Sequence, residues 1–405
     1  MTPFSSVFSV SCLGLLLFSS TSQVSASDTQ TLVDALVADS QKHQEKRPVD
    51  PADPIYQAEL HASLLASDVE SYCVQLRRIA HLYAERGQWG NALAVTRKCV
   101  QLGHPVPLAD LTVISFQNAR KVEASAFMDE ALRSLSQATG REREEMKREC
   151  AIALHHLGRH TEADALTTEL QQQDRYEVII HSIPLRHAAL RDPEVEISEL
   201  KRQQASPSES ARVAIALARE HLSSQQGKPA AEKLLTFAGE QASNKLRPDA
   251  QPQLIEIARL ARKHGLREIE QRAEGVFLKM SRAHAAEADW KPMHLALSAE
   301  WFAEKGETVQ AEAIAAEAEA AVGKVFVLEA PAALLKLAAL HHRLGHAVES
   351  TALVVKAARA GLSYPHPRAR GLAATEVCLF FANAKATIPD EVTRLLTAIR
   401  EAHQD

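Results

Sequence analysis

Two short runs in this chain gather histidines tightly enough to suggest chemistry: His155-His156-Leu157-Gly158-Arg159-His160 and His341-His342-Arg343-Leu344-Gly345-His346. Each sets three imidazoles around one turn, and imidazole is a common ligand for zinc. Two features weigh against a metal site. No Glu stands in an HExxH arrangement, and no carboxylate follows at ligand spacing. Both runs also straddle a glycine where a helix would end, and histidine interacts well with the dipole at a helix C-terminus. The reading adopted is two helix ends, with no metal ligand and no cofactor assigned.

Other signatures of catalysis are missing. The glycines are scattered singly, and the patterns GxGxxG, GxxxxGK and GxSxG do not occur. No Ser or Cys sits on a recognisable strand-turn-helix elbow. Acid pairs arise by chance among 51 Asp and Glu residues, so they point to no glycosidase-type chemistry. The expectation is a protein without a catalytic site. A net charge of −5 over 405 residues argues against a general binder of nucleic acid or anionic membrane.

Stepping along the chain gives the elements. Met1 to Ala26 carry no charged side chain and hold the apolar run Cys12-Leu13-Gly14-Leu15-Leu16-Leu17-Phe18, with Val24-Ser25-Ala26 at the end. This is the layout of a signal peptide, with cleavage expected after Ala26 and a secreted or periplasmic destination. Residues 27–54 are polar, end in Pro48, Pro51 and Pro54, and read as a flexible linker. Beyond them one plan recurs. Leu76, Ile79, Ala80 and Tyr83 fall on one stripe of a helix, Gly87 ends it, and Trp89, Ala92, Val95, Cys99 and Leu102 form the stripe of a second helix. Gly103 and Pro105 stop that one. Neither helix can hide its stripe alone, so the pair must pack together and against neighbours.

The segment from Leu76 to Pro105 resembles a tetratricopeptide repeat: small Ala80 and bulky Tyr83 in the first helix, Gly87 at the turn, then Trp89, Ala92 and Pro105. Weaker copies follow at Ala151, Leu154, Gly158 and Ala163; at Ala258, Ala261 and Gly265; at Ala299, Phe302, Gly306 and Ala311; and at Ala338, His341, Gly345 and Ser350. The third copy departs from the pattern at Glu270, and the later glycines recur about every 40 residues against a consensus of about 34. The resemblance implies an all-α fold, an α/α superhelical solenoid of helix-turn-helix repeats. It is divided into N-terminal repeats over 55–205 and C-terminal repeats over 206–405, with the last pair, about His366 to His403, placed to cap the array. Pro184, Pro193 and the stretch Gln203-Gln204-Ala205-Ser206-Pro207 interrupt the pattern and suggest the division.

The resemblance further implies that the first helix of each unit lines a concave groove. Carried over unit by unit, the groove candidates are Arg77, His81 and Glu85; Arg148, Ile152 and His155; Arg259, Arg262 and Lys263; Glu300 and Glu304; and Leu335, His342 and Arg343. The third set is basic and the fourth acidic, which suits an extended peptide or protein contacted at several points. Cys73 and Cys99 occupy facing ends of an antiparallel pair, so they form either a disulfide or two buried thiols. The function expected is an exported scaffold for protein–protein or protein–peptide interaction, with no nucleic acid and no membrane span after signal cleavage. The alternative is an enzyme or a metal- or ligand-binding protein on an α/α superhelical frame.

Overall fold

The structure, a computed structural model, describes residues 50, 52–104, 106–186, 192–202, 206–224, 227–243, 250–283, 290–323 and 330–404. The expected leader with its cleavage point, nearly all of the expected 27–54 linker, Pro105 and residues 203–205 of the expected break lie outside the described residues.

Among the described residues the chain forms nineteen α-helices and one short 3-10 turn, as the all-α expectation requires. Helix α1 (Pro54–Ala62) and the 3-10 turn (Ser63–Leu65) precede the first expected pair, α2 (Val69–Glu85) and α3 (Trp89–Gln101). Then come α4 (Val106–Gln117) and α5 (Lys121–Gln137), α6 (Gly140–His156) and α7 (His160–Thr168), and α8 (Gln172–Arg186) and α9 (Pro193–Arg202). The second half holds α10 (Pro207–His221) and α11 (Lys228–Ser243), α12 (Ala250–Lys263) and α13 (Arg267–Ala283), and α14 (Lys291–Lys305) and α15 (Thr308–Val322). Last are α16 (Ala330–Arg343) and α17 (Ala347–Leu362), and α18 (Pro367–Ala384) and α19 (Asp390–Gln404).

Local chemistry sets these bounds. Asp53 caps α1 by accepting the Ile55 N–H at 3.0 Å, and Pro54 takes the first helical position, where no N–H is needed. Ser206 and Glu209 form a reciprocal capping box before α10, at 3.2 and 2.8 Å. Gly87, Gly158, Gly265, Gly306 and Gly345, each read as a turn, all have positive φ. At Gly87 this lets the Gln88 N–H reach the Tyr83 carbonyl at 2.8 Å and close the helix end. Ala119, with φ of 60°, plays the same part between α4 and α5.

Adjacent helices pack in pairs, and a second set of contacts joins first helix to first helix: α2, α4, α6, α8, α10, α12, α14, α16 and α18, in that order. The circuit then closes, because α18 touches α2. Helix α1 lies along α18 as a second helix lies along its first in other pairs, and it continues onto α2. The pair expected at about 366–403 thus meets the beginning of the chain. With the flank of α18 taken by α1, α19 packs mainly against α17.

The seam is apolar inside and charged outside. Ile55, Ala58, Ala62 and Leu65 are fully buried and share one core with Val377, Cys378 and Phe381. Each large side chain buried there contributes about 1.5–3 kcal/mol. A side chain at Gly371 would place its Cβ 3.0 Å from the Cβ of Leu64, a tight contact, so glycine eases the close approach of the 3-10 turn to α18. Arg78 grips Glu376 with both ends of its guanidinium, Arg368 reaches Asp68 at 2.6 Å, and Arg86 donates to the Ala382 carbonyl at 2.8 Å.

Candidate binding face

The sequence-derived candidates sit on α2, α6, α12, α14 and α16, all first helices of the circuit. Their charged members do not stand apart. On α2, Arg77 donates to Asp110 of α4 at 2.8 Å and reaches on to Glu149 of α6 at 3.5 Å. It thereby spans α4, a helix that is buried nearly all round. Burial disfavours the Arg77 charge, but Asp110 and Glu149 outweigh that and raise its pKa. His81 lies 3.9 Å from the same Asp110, and Glu85 is exposed at the helix end.

From α6 the pairing continues. Arg148 donates to Asp174 of α8 at 2.9 Å. Glu177 of α8 is held by both ends of Arg212 of α10. Burial works against the Glu177 carboxylate, yet the Arg212 contact keeps its pKa below the ordinary value. Arg219 of α10 then reaches Glu256 of α12 at 2.6 Å.

Arg259, Glu300, Glu304 and Arg343, from the third, fourth and fifth units, meet in one cluster. Arg259 clasps Glu304 at 2.7 and 2.8 Å. Arg343 bonds Glu300 at 2.7 Å and Glu304 at 3.3 Å, and Lys336 reaches Glu300 at 2.7 Å. Glu300 is buried, which would raise its pKa, but Lys336, Arg343 and Arg259 overcome this and lower it. The Glu376–Arg78 contact carries the same pattern across the seam.

Other candidates face elsewhere. Ile152 packs with Leu170 and Val178, and Leu335 is buried in the main core. His155 is buried against His160, Nδ1 to Nδ1 at 3.0 Å. Arg262 turns to Glu270 at 3.2 Å and to the Lys305 carbonyl at 3.2 Å, while Lys263 and His342 are exposed. Sequence reasoning missed Asp110, Glu149, Asp174, Glu177, Arg212, Arg219, Glu256 and Lys336. Their signal was spacing, since Arg212 and Arg219 sit seven residues apart, on one face of α10.

Cys73 and Cys99 do sit at facing ends of α2 and α3. Both are buried and unbridged, and the Cys99 thiol lies 3.9 Å from the Cys73 carbonyl oxygen. The two neighbouring thiols perturb each other in opposite directions: Cys99 lowers the Cys73 pKa, and Cys73, with burial, raises the Cys99 pKa. Among the described residues, no three His, Cys, Asp or Glu side chains converge as a metal set. No described helix is long and apolar enough to cross a membrane. No family model matches the chain, and no curated protein matches it.

Proposed function

We propose that this chain is an exported, non-catalytic scaffold built of tetratricopeptide-like repeats, which binds an extended peptide or protein along the face of its first helices. The observation that carries the reading is the cluster of Arg259, Glu300, Glu304, Lys336 and Arg343. Three successive units place alternating charges from neighbouring first helices against one another there. Arg259 and Arg343 are 42% and 47% exposed, so an arriving carboxylate can compete for them while the buried Glu300 keeps the surface in place. Such exchange of surface pairs costs little, because an exposed ion pair contributes about 0.2–1 kcal/mol. It gives selectivity for a partner with matching charge order rather than for apolar surface.

The test is a charge swap. The double variant Arg259→Glu with Glu304→Arg keeps the internal pair and inverts the pattern. With the mature chain as bait in the exported fraction, the native form should retain a partner that the swapped form loses, at equal helicity by circular dichroism. Equal recovery of that partner by both forms would remove this surface from the account.

A further inference from the structure

Two thiols meet between α2 and α3, and the belt of ion pairs does not use them. Cys73 stands in the second turn of α2 and Cys99 in the last turn of α3, so the packing of the pair brings them together. The Cys99 sulfur lies 3.9 Å from the Cys73 carbonyl oxygen, and both residues belong to one buried core with Leu76 and Val95. A disulfide needs the two Cα atoms within about 7 Å. A sulfur resting against the other cysteine's own backbone, in helices already packed, supplies the approach that this demand requires.

The two sulfurs are not equivalent. Cys73 is 6% exposed and Cys99 0%. Cys99 lowers the Cys73 pKa, whereas Cys73 and burial hold the Cys99 thiol protonated. The thiolate is the attacking species, so Cys73 is the sulfur placed to open an external disulfide. Cys150 in α6 and Cys378 in α18 give the contrast. Burial raises both thiols, Cys150 to about 12, and no second thiol is among the groups that shift either one.

The pair also sits beside the closure of the circuit. Glu59 of α1 is buried, and it takes Lys98 of α3 at 2.5 Å and the Tyr83 hydroxyl of α2 at 3.3 Å. A bond between Cys73 and Cys99 joins the two helices that Glu59 holds.

We propose that Cys73 and Cys99 are an oxidation site, converted to an intramolecular bridge by exchange with an external disulfide such as glutathione disulfide. The Cys73 thiolate attacks that disulfide and expels one thiol; Cys99 then attacks the Cys73 sulfur and expels the second. Two electrons pass to the external disulfide, and the protons of Cys73 and Cys99 leave on the two thiols released. The site stands or falls independently of partner binding at the Arg259–Arg343 surface. The test exposes the full, reduced chain to glutathione disulfide, once folded and once while refolding from urea. Remaining thiols are blocked with a maleimide under denaturation, and peptides are mapped by mass spectrometry without reduction. A peptide joining residues 73 and 99 of one chain, by either route, supports the proposal; Cys150 and Cys378 should be blocked singly. The bridged chain should unfold at a higher urea concentration, because the bond restricts the unfolded chain between residues 26 apart in sequence. Dithiothreitol should reverse that shift. In Cys99→Ser the reaction should stop at glutathione on Cys73, and in Cys73→Ser the Cys99 thiol should stay free; the opposite pattern would overturn the order of attack. Circular dichroism confirms that each variant is folded. Free thiols at 73 and 99 by both routes, or glutathione on each without a bridge, overturns the proposal.

Discussion

The circuit of first helices passes two places without an ordinary helix pair, and it bridges them in opposite ways. At α8 and α9 both helices belong to one stretch of sequence, yet they make little contact. Helix α8 packs between α6 and α10, while α9 rests on α11 through buried Leu200 and the Lys233–Glu194 ion pair. At the seam the sequence is as discontinuous as it can be, yet α1 and α18 pack fully. The contrast shows what holds the circuit. Contacts between first helices, backed by an apolar second layer, are sufficient whether or not the chain connects the helices that make them.

Breaking the seam should therefore cost most. Ile55→Ala removes a fully buried side chain between α1 and α18, and a loss of about 2–5 kcal/mol is expected in urea unfolding. A value near zero would mean that α1 does not hold the ends together. Next in size is a pH effect at the same place. His61 of α1 is buried, with no partner at Nδ1, and burial together with Arg400 lowers its pKa from near 6.5 to about 4. The folded chain therefore binds this proton less readily than the unfolded chain. The His61 contribution is whole above about pH 6.5 and is lost as the pH falls toward 4, by up to about 3 kcal/mol. The native chain should lose more stability than His61→Gln between pH 7 and pH 4.5; parallel losses would place the acid sensitivity elsewhere.

The α8–α9 region should respond less. Leu200→Ala is expected to destabilise by about 2 kcal/mol, at the low end for a buried leucine, because α9 has only limited contact with its neighbours α11 and α10. If it matched Ile55→Ala, the two regions would be equivalent and the contrast would fail. Smallest is Glu376→Ala, which breaks a pair with a 44% exposed arginine; less than about 1 kcal/mol should be lost, and the loss should vanish in Arg78→Ala.

The helix pairs were legible where apolar stripes met a glycine. Gly87, Gly158, Gly265, Gly306 and Gly345 mark turns because the left-handed conformation favours that residue. The α4–α5 turn was not legible, since Ala119 takes the same conformation without advertising it. Helix α4 is buried nearly all round, so it shows no single apolar stripe to read, and its Asp110 is matched by Arg77 of α2. Closure was hidden for a different reason. Residues from 55 on read as the start of the N-terminal repeats, but nothing in them shows that they pack against α18, and no local pattern couples segments some 300 residues apart. Of the candidate face, Arg259, Glu300, Glu304 and Arg343 were found and Glu256 and Lys336 were not, and the mutual pairing was hidden because it runs between helices rather than along them.

The most direct test of the closed circuit is intramolecular cross-linking at the seam. The four cysteines among the described residues are buried, so the double variant Arg78→Cys with Glu376→Cys supplies two accessible thiols for a short bis-maleimide in dilute solution. Closure predicts a peptide joining residues 78 and 376 within one chain, formed in high yield. Linkage found only between chains, or none while both thiols react singly, would show that the ends of the array stand apart.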